Sequence, residues 1–345
     1  MPASRLVVDY LDTLVNDRGE DFRLALAVPR SGTLGLARPA GLAAAIMAAE
    51  EINDAGGVRD RRLTLTPVDA GLPPAGSARE LEPLVAAVDA VVGFHTSDVH
   101  RALERVTSGR VPYIFAAPHE GGARLPGVGL LGPSPAAQLG EPVRALVERG
   151  LRSWALLGSD YIWPRRVHAV AERLIRHNGA QVRSARLVPL GRVDGDELAS
   201  WVRRSGAQVV LVSLVGRDLA VFNRAFAGSR VAGSVVRVSG ALEEVGLLEV
   251  DGDDTGGLFS AMPWYVEDDP DGFGERYATR WGAMSPQVGA YARGCYDAVH
   301  AVAAASRSGR LSAHAPGAGL PSGGSAPPNR LACADGMRLV PVDRA

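Results

Sequence analysis

Short continuous apolar runs alternate along this chain with longer stretches in which apolar residues recur every third or fourth position, a strand and helix alternation that begins at Phe22. Residues 22–28 form an apolar run broken only by Arg23, as expected of a strand covered on both faces. After the loop Pro29-Arg30-Ser31-Gly32-Thr33 comes a helical stretch over 39–53, closed by Gly56-Gly57. The unit then repeats: strand 62–68, helix 78–88, strand 90–94, helix 99–108, strand 112–115. A Gly- and Pro-rich passage around 130–135 separates these from a second series. That series reads as helix 136–149, strand 153–157, helix 165–177, strand 181–188, helix 195–204, strand 208–212, helix 219–227 and strand 234–238. A short helix opened by Glu243 and Glu244 follows, then a strand over 257–262 that runs into Pro263-Trp264-Tyr265 and a crossing back to the first series, where a helix over 287–306 packs. Residues 309–329 read as a loose loop and 337–342 as one added strand.

Such alternation predicts an α/β fold of two doubly wound, parallel-sheet lobes covered by helices on both faces. The boundaries expected are an N-terminal helical extension over 1–21, a first lobe over 22–132 plus 264–308, a second lobe over 133–263, and a Gly/Pro-rich tail over 309–345.

The junction Gly158-Ser159-Asp160-Tyr161-Ile162-Trp163-Pro164-Arg165 joins a strand directly to a helix. Ser159 and Asp160 suit an N-cap and Pro164 a first helical turn, which leaves Tyr161 and Trp163 in the turn itself. In open α/β sheets this end of a strand faces the ligand crevice, so the two rings are either a pocket wall or the cover of a core end. The other strand ends are also chemically loaded: His95, Thr96 and Ser97; Pro118, His119 and Glu120; Ser213; and Trp264. Two lobes facing each other would gather these groups around one cleft.

Composition narrows the options. A net charge of −1 gives no reason to expect nucleic acid or an anionic membrane surface. Every basic residue is arginine, which excludes a Schiff-base or P-loop lysine. Cys295 and Cys333 lack metal-ligand spacing and read as free thiols or as one disulfide. The apolar run near the N-terminus is interrupted by Asp9 and Asp12, unlike a secretory core segment, so a cytoplasmic location is expected. No G-x-G-x-x-G, Walker loop, G-x-S-x-G or H-E-x-x-H is present. No metal and no cofactor is expected.

Residues 44–69, A-A-I-M-A-A-E-E-I-N-D-A-G-G-V-R-D-R-R-L-T-L-T-P-V-D, resemble the opening of type I periplasmic-binding-protein folds of the branched-chain amino-acid receptor class. V-V-G-F-H-T-S, P-H-E-G, G-S-D-Y-I-W-P-R and S-L-V-G-R are similar to the subgroup holding the cytoplasmic amide sensor of aliphatic amidase operons and the urea and short-chain-amide receptors of transport systems. The resemblance spans roughly residues 22–306 and implies two lobes joined by three crossovers, with a small amide, urea or amino-acid-like ligand between them. It implies that Ser97 offers its hydroxyl and N–H to a ligand carbonyl while Tyr161 and Trp163 close over it. Phe115 and Ala117 stand where amide-binding members carry tyrosine and threonine, Gly240 and Ala241 where they carry hydroxyls, and His95 replaces a further tyrosine. These departures imply a ligand larger or more apolar than acetamide. Glu243 is a candidate for a ligand amine, or an acid complementing a helix dipole.

The expected function is therefore non-catalytic binding by a cytosolic sensor, with an ABC-transporter solute receptor as the alternative. A further reading uses His95, His119, Glu120 and Asp160 as acid and base. The other histidines, His100, His168, His177, His300 and His314, are expected in solvent. Expected partners are a small organic ligand, a regulatory protein or permease, and a second copy in a homodimer, with no membrane insertion.

Overall fold

The computed structural model describes residues 6–16, 19, 21–320 and 329–342. Helix α1 (Tyr10–Val15) starts at Asp9, whose carboxylate accepts from the Leu11 N–H. It is anchored by a Thr13–Thr66 hydroxyl pair at 2.8 Å and by Tyr10, which donates to the Glu80 carbonyl. Next come β1 (Asp21–Val28), α2 (Arg38–Asp54), β2 (Arg62–Asp69), α3 (Pro74–Leu81), β3 (Ala90–Gly93), α4 (Ser97–Thr107), β4 (Tyr113–Phe115) and β5 (Val128–Leu130). The five strands form one parallel sheet in the order β2-β1-β3-β4-β5. Beyond β2, the segment Leu6–Val8 extends the hydrogen bonding, exchanging bonds with Leu65 at 2.8 and 2.9 Å.

The second lobe holds α5 (Pro135–Glu148), β6 (Ser153–Ser159), α6 (Ile162–His177), β7 (Gln181–Val188), α7 (Gly195–Ser205), β8 (Val209–Ser213), α8 (Gly216–Ala227), β9 (Val236–Ser239), α9 (Glu244–Val250) and β10 (Leu258–Ser260). The chain then passes through α10 (Phe273–Trp281) to α11 (Ala290–Arg307), which packs on α2 and β3 of the first lobe. It returns to the second sheet as β11 (Ala332–Asp335) and β12 (Arg338–Pro341). The second sheet runs β12-β11-β10-β9-β8-β6-β7, parallel except for the β11–β12 hairpin added at the β10 edge. Three passages thus link the lobes, after β5, after β10 and after α11.

Several differences from the sequence reading have local causes. The helix expected over 78–88 is α3 followed by a 3-10 turn over Glu82–Ala86, because Pro83 cannot continue α-helical bonding. The single added strand expected at 337–342 is half of a hairpin turned at Gly336, which sits at φ +59°. The loose region expected over 309–329 holds an ordered turn at Pro316–Gly319, while 321–328 lie outside the described residues. Both β5 and α10 escaped the pattern: β5 is three residues long, and the charges of α10 mask its buried Phe273 and Tyr277.

Polar anchoring in the second lobe centres on Arg237 of β9, which is fully buried. Its guanidinium donates to Asp253 at 2.8 Å and to Thr255 at 2.7 Å, and lies 4.7 Å over the Phe226 ring.

Candidate functional site

Each lobe winds its first five strands in the same order, second-first-third-fourth-fifth. In each, the connections leaving the two strands at the reversal diverge and open a crevice. In the first lobe these are the turns after β1 and β3, in the second those after β6 and β8. The two crevices face each other and the lobes touch: the Arg217 N–H, at the start of α8, donates to the Thr33 carbonyl at 2.9 Å. Gly216 makes that approach possible. It lies at φ +48°, and a Cβ there would sit 1.9 Å from Thr33 O.

Between the lobes lies a cavity of about 350 Å³, walled by Ser31, Thr33, Leu72, Thr96 and Asp98 on one side and by Leu190 and Gly191 on the other. A tighter space beside it is enclosed by Leu34, Gly216, Ala241, Glu243 and Tyr291.

Ser97 opens α4 and is buried, with Thr96 as N-cap, so the free N–H groups of that first turn lie at the crevice. His95 is fixed within lobe 1. Its Nδ1 lies 3.1 Å from the Thr96 carbonyl, which makes Nδ1 the donor and Nε2 an acceptor for the Tyr113 hydroxyl at 3.0 Å. Tyr113 O in turn accepts from His100 Nδ1 at 2.9 Å, leaving His100 Nε2 a buried acceptor with no partner. His100 is therefore not in solvent as expected; it stacks on Phe115 at 4.2 Å inside the core. The helical face carrying it also carries Val99 and Leu103 inward, and that amphipathic stripe was legible in the sequence. His168 is likewise buried rather than solvated.

Burial lowers His95, His119 and His168 to about 4, and lowers His100 as well. All four imidazoles are neutral at physiological pH and serve as fixed hydrogen-bonding groups, not as proton exchangers near neutrality. His119 does not meet His95; its Nδ1 accepts from the Gly121 N–H at 3.0 Å. Glu120 is consumed by ion pairs with Arg101 at 2.6 Å and Arg124 at 3.1 Å. Asp160 is exposed and paired with Arg165, and the α6 N-cap is Tyr161 rather than Ser159 or Asp160. Of the four groups of the acid/base reading, His119 and Glu120 lie beside the same two arginines, Arg101 and Arg124, while His95 is held by Tyr113 and Asp160 by Arg165.

In the second lobe Tyr161 is half-buried and Trp163 buried, both at the start of α6, which approaches α4 across the cleft. Trp163 Nε1, Ser159 Oγ, Ser213 Oγ and His168 Nε2 are buried without a partner. A Cβ on Gly158 would lie 3.0 Å from His168 Nε2 and 3.3 Å from Ser213 Cβ, so the last two neighbour each other. Buried polar atoms left in this state call for a ligand or a water. Ala117 and Pro118 are buried and line neither inter-lobe space. Trp264 is turned away, edge-to-face on Phe273 at 5.6 Å with its N–H on Asp269.

Glu243 joins the lobes. Its Oε2 accepts from the Tyr291 N–H at 2.9 Å, so a second-lobe carboxyl caps the first-lobe helix α11. Tyr291, stacked on Phe94 at 5.1 Å, was hidden in a predicted helix, and Asp98, next to Ser97 after β3, was not singled out; Gly216 and the cleft contact it permits could be suspected only from a glycine after a strand.

Burial, with the neighbouring carboxyl, raises Glu243 to about 8 and Glu244 to about 7. Below about pH 4.3, the unfolded value, both states hold these protons and no stability is lost. As pH rises through the folded values, the unfolded chain has already ionised and the native state is penalised, so stability falls. The expected result is a melting temperature that drops between about pH 5 and pH 8. Glu243→Gln should flatten the profile; an unchanged profile in thermal scans would refute the assignment.

Among the described residues both cysteines are free thiols, no cluster of metal-ligating side chains occurs, and no helix is long and apolar enough to cross a membrane.

Residues 21–343 match the family model described as periplasmic binding protein. Among solved structures, a solute-binding protein of an ABC transporter from R. palustris in complex with benzoate is 14% identical, with a TM-score of 0.74, covering 93% of this chain and 95% of that one. Another from Rhodopseudomonas palustris, in complex with 3,4-dihydroxybenzoic acid, is 18% identical with a TM-score of 0.75, covering 87% and 84%. A type 1 periplasmic binding protein from Bordetella pertussis gives 15%, a TM-score of 0.76, and 93% and 100%. This chain belongs to the periplasmic binding protein family.

Proposed function

We propose that the protein is a solute receptor that closes two lobes over a small organic molecule and presents the closed form to an ABC-transporter permease. The observation carrying this is the facing of two sheet crevices across one cavity, whose first-lobe wall includes Asp98 with a buried Oδ1 that has no partner. The structural neighbours that are ABC-transporter solute receptors for benzoates support the class, in place of the cytosolic sensor expected first. Ligand would bind the closed state preferentially, and a few kcal/mol of differential affinity is enough to invert the populations.

The test is native mass spectrometry on protein from its own host, to weigh a trapped molecule, together with small-angle scattering before and after its removal. Expansion on removal and compaction on return are expected. A molecule converted on incubation, or one that leaves the dimensions unchanged, would sink the reading.

A cytosolic amide-type sensor would use the same closure with a regulator as partner. Fractionation of the host separates the two, since the receptor is recovered outside the cytoplasm and the sensor within it.

A further inference from the structure

The charge of the inter-lobe space sits at Asp98, which lines the larger cavity. In the tighter space Glu243, raised to about 8, holds its proton near neutral pH and burial also raises Glu249; among the described residues no arginine lines either space. The basic residues nearest the mouth do not face inward. Arg30 has a side chain 70% exposed and leans on Asp69, and Arg217 is exposed. His95 and His100 are neutral, as derived above, and so add no positive charge behind the wall.

Asp98 has the further property that its Oδ1 is buried with no partner. It stands in the first turn of α4, where free N–H groups would otherwise suit an anion. A carboxylate at those N–H groups would share the first turn of α4 with the Asp98 carboxylate. Burial first, and then Tyr291, Asp98, Glu120 and Asp218, raise the Tyr161 hydroxyl and hold its proton in place. The rest of the larger cavity is apolar or hydroxylic: Pro29, Leu34, Leu72, Pro73 and Val99, with Ser31, Thr33 and Thr96.

We infer that the ligand is a cation with an apolar body, an alkyl or aryl amine, taken with its ammonium toward Asp98 and not with a carboxylate toward α4. This rests on the receptor reading above and narrows it, departing from the benzoate bound by the neighbours. A charge pair formed out of water at Asp98 discriminates strongly, because a neutral analogue leaves the carboxylate desolvated and alone.

The experiment is titration calorimetry near neutral pH with benzylamine, benzyl alcohol and benzoate, three ligands of one shape and different charge, on the parent, Asp98→Asn and Arg30→Gln. Benzylamine is expected to bind at least about tenfold more tightly than the alcohol, with no heat from benzoate, and Asp98→Asn should abolish that preference. Arg30→Gln should leave it intact. Benzoate binding tightest, above all if Arg30→Gln removes it, overturns the charge assignment while leaving the receptor reading standing. Silence from all three also overturns it, and the receptor reading is then judged by the trapped molecule and the scattering alone. Circular dichroism on both variants excludes misfolding as the cause of any loss.

Discussion

Gly216→Val is expected to hold the lobes apart and weaken ligand binding by on the order of a hundredfold, the factor by which the closed population would fall if its Cβ met a carbonyl it cannot pass. At that position the built Cβ lies 1.9 Å from Thr33 O, and the partner atom is backbone, which cannot rotate aside as a flexible side chain would. The neighbouring Arg217 N–H to Thr33 bond would be lost at the same time. A left-handed backbone conformation also disfavours any side chain, whatever the space. That second effect is separable: Gly206 sits at φ +65° with nothing within 4 Å of a built Cβ, so Gly206→Ala carries the backbone cost without the collision. Scattering and calorimetry should find Gly206→Ala closing and binding like the parent, and Gly216→Val expanded and weak. A Gly216→Val protein as compact and as tight as the parent would show that the contact is not part of closure.

The largest loss of stability is expected from Asp253→Ala. Arg237 and Asp253 have side chains 0% and 1% exposed, so removing the carboxylate strands a guanidinium where water cannot reach it. Breaking such a pair costs about 3–5 kcal/mol, which for a chain of this size lowers the melting temperature by roughly 10 °C. Asp253 also holds Thr255 through its other oxygen, and its backbone exchanges two bonds with Gly336 in the hairpin turn, so the loss should spread to β11 and β12. The double variant Arg237→Met with Asp253→Ala removes both charges and should recover most of the deficit, because paired removal replaces a buried ion by apolar packing. Differential scanning calorimetry decides: a double variant no better than the single would place the cost in lost packing instead of a stranded charge.

The architecture was legible because its signal is periodic and local. Most of the parallel strands are buried on both faces, as the apolar runs at 22–28 and 153–157 announce, while the edge strand β7 alternates, and most helices are amphipathic, so alternation implies the two-sheet plan. Pro83 and Gly336 show where single residues redirected an element that periodicity had extended or merged. The cleft was legible only in part. Thr96, Ser97, Tyr161 and Trp163 stand at strand ends, where topology places ligand crevices, and of these Thr96 lines the cavity between the lobes. Contacts within a lobe were not readable. Whether His119 faces His95 or its own loop, or whether Glu120 is free or held by Arg101 and Arg124, depends on side-chain directions that carry no sequence period. Tyr291 was hidden for a related reason: a helix start facing a cleft looks, in sequence, like any other turn of helix.

The two ends of the chain leave a mark on how each sheet meets its surroundings. Leu6–Val8 lies along β2, and the β11–β12 hairpin lies along β10, so in each lobe a margin that would offer unpaired N–H and C=O groups is occupied by a terminal segment. A bare margin is a template for another polypeptide to pair with. Losing either segment would therefore do more than shorten the molecule: it would bare β2 or the parallel margin at β10, while the intact second sheet ends instead on the four-residue β12.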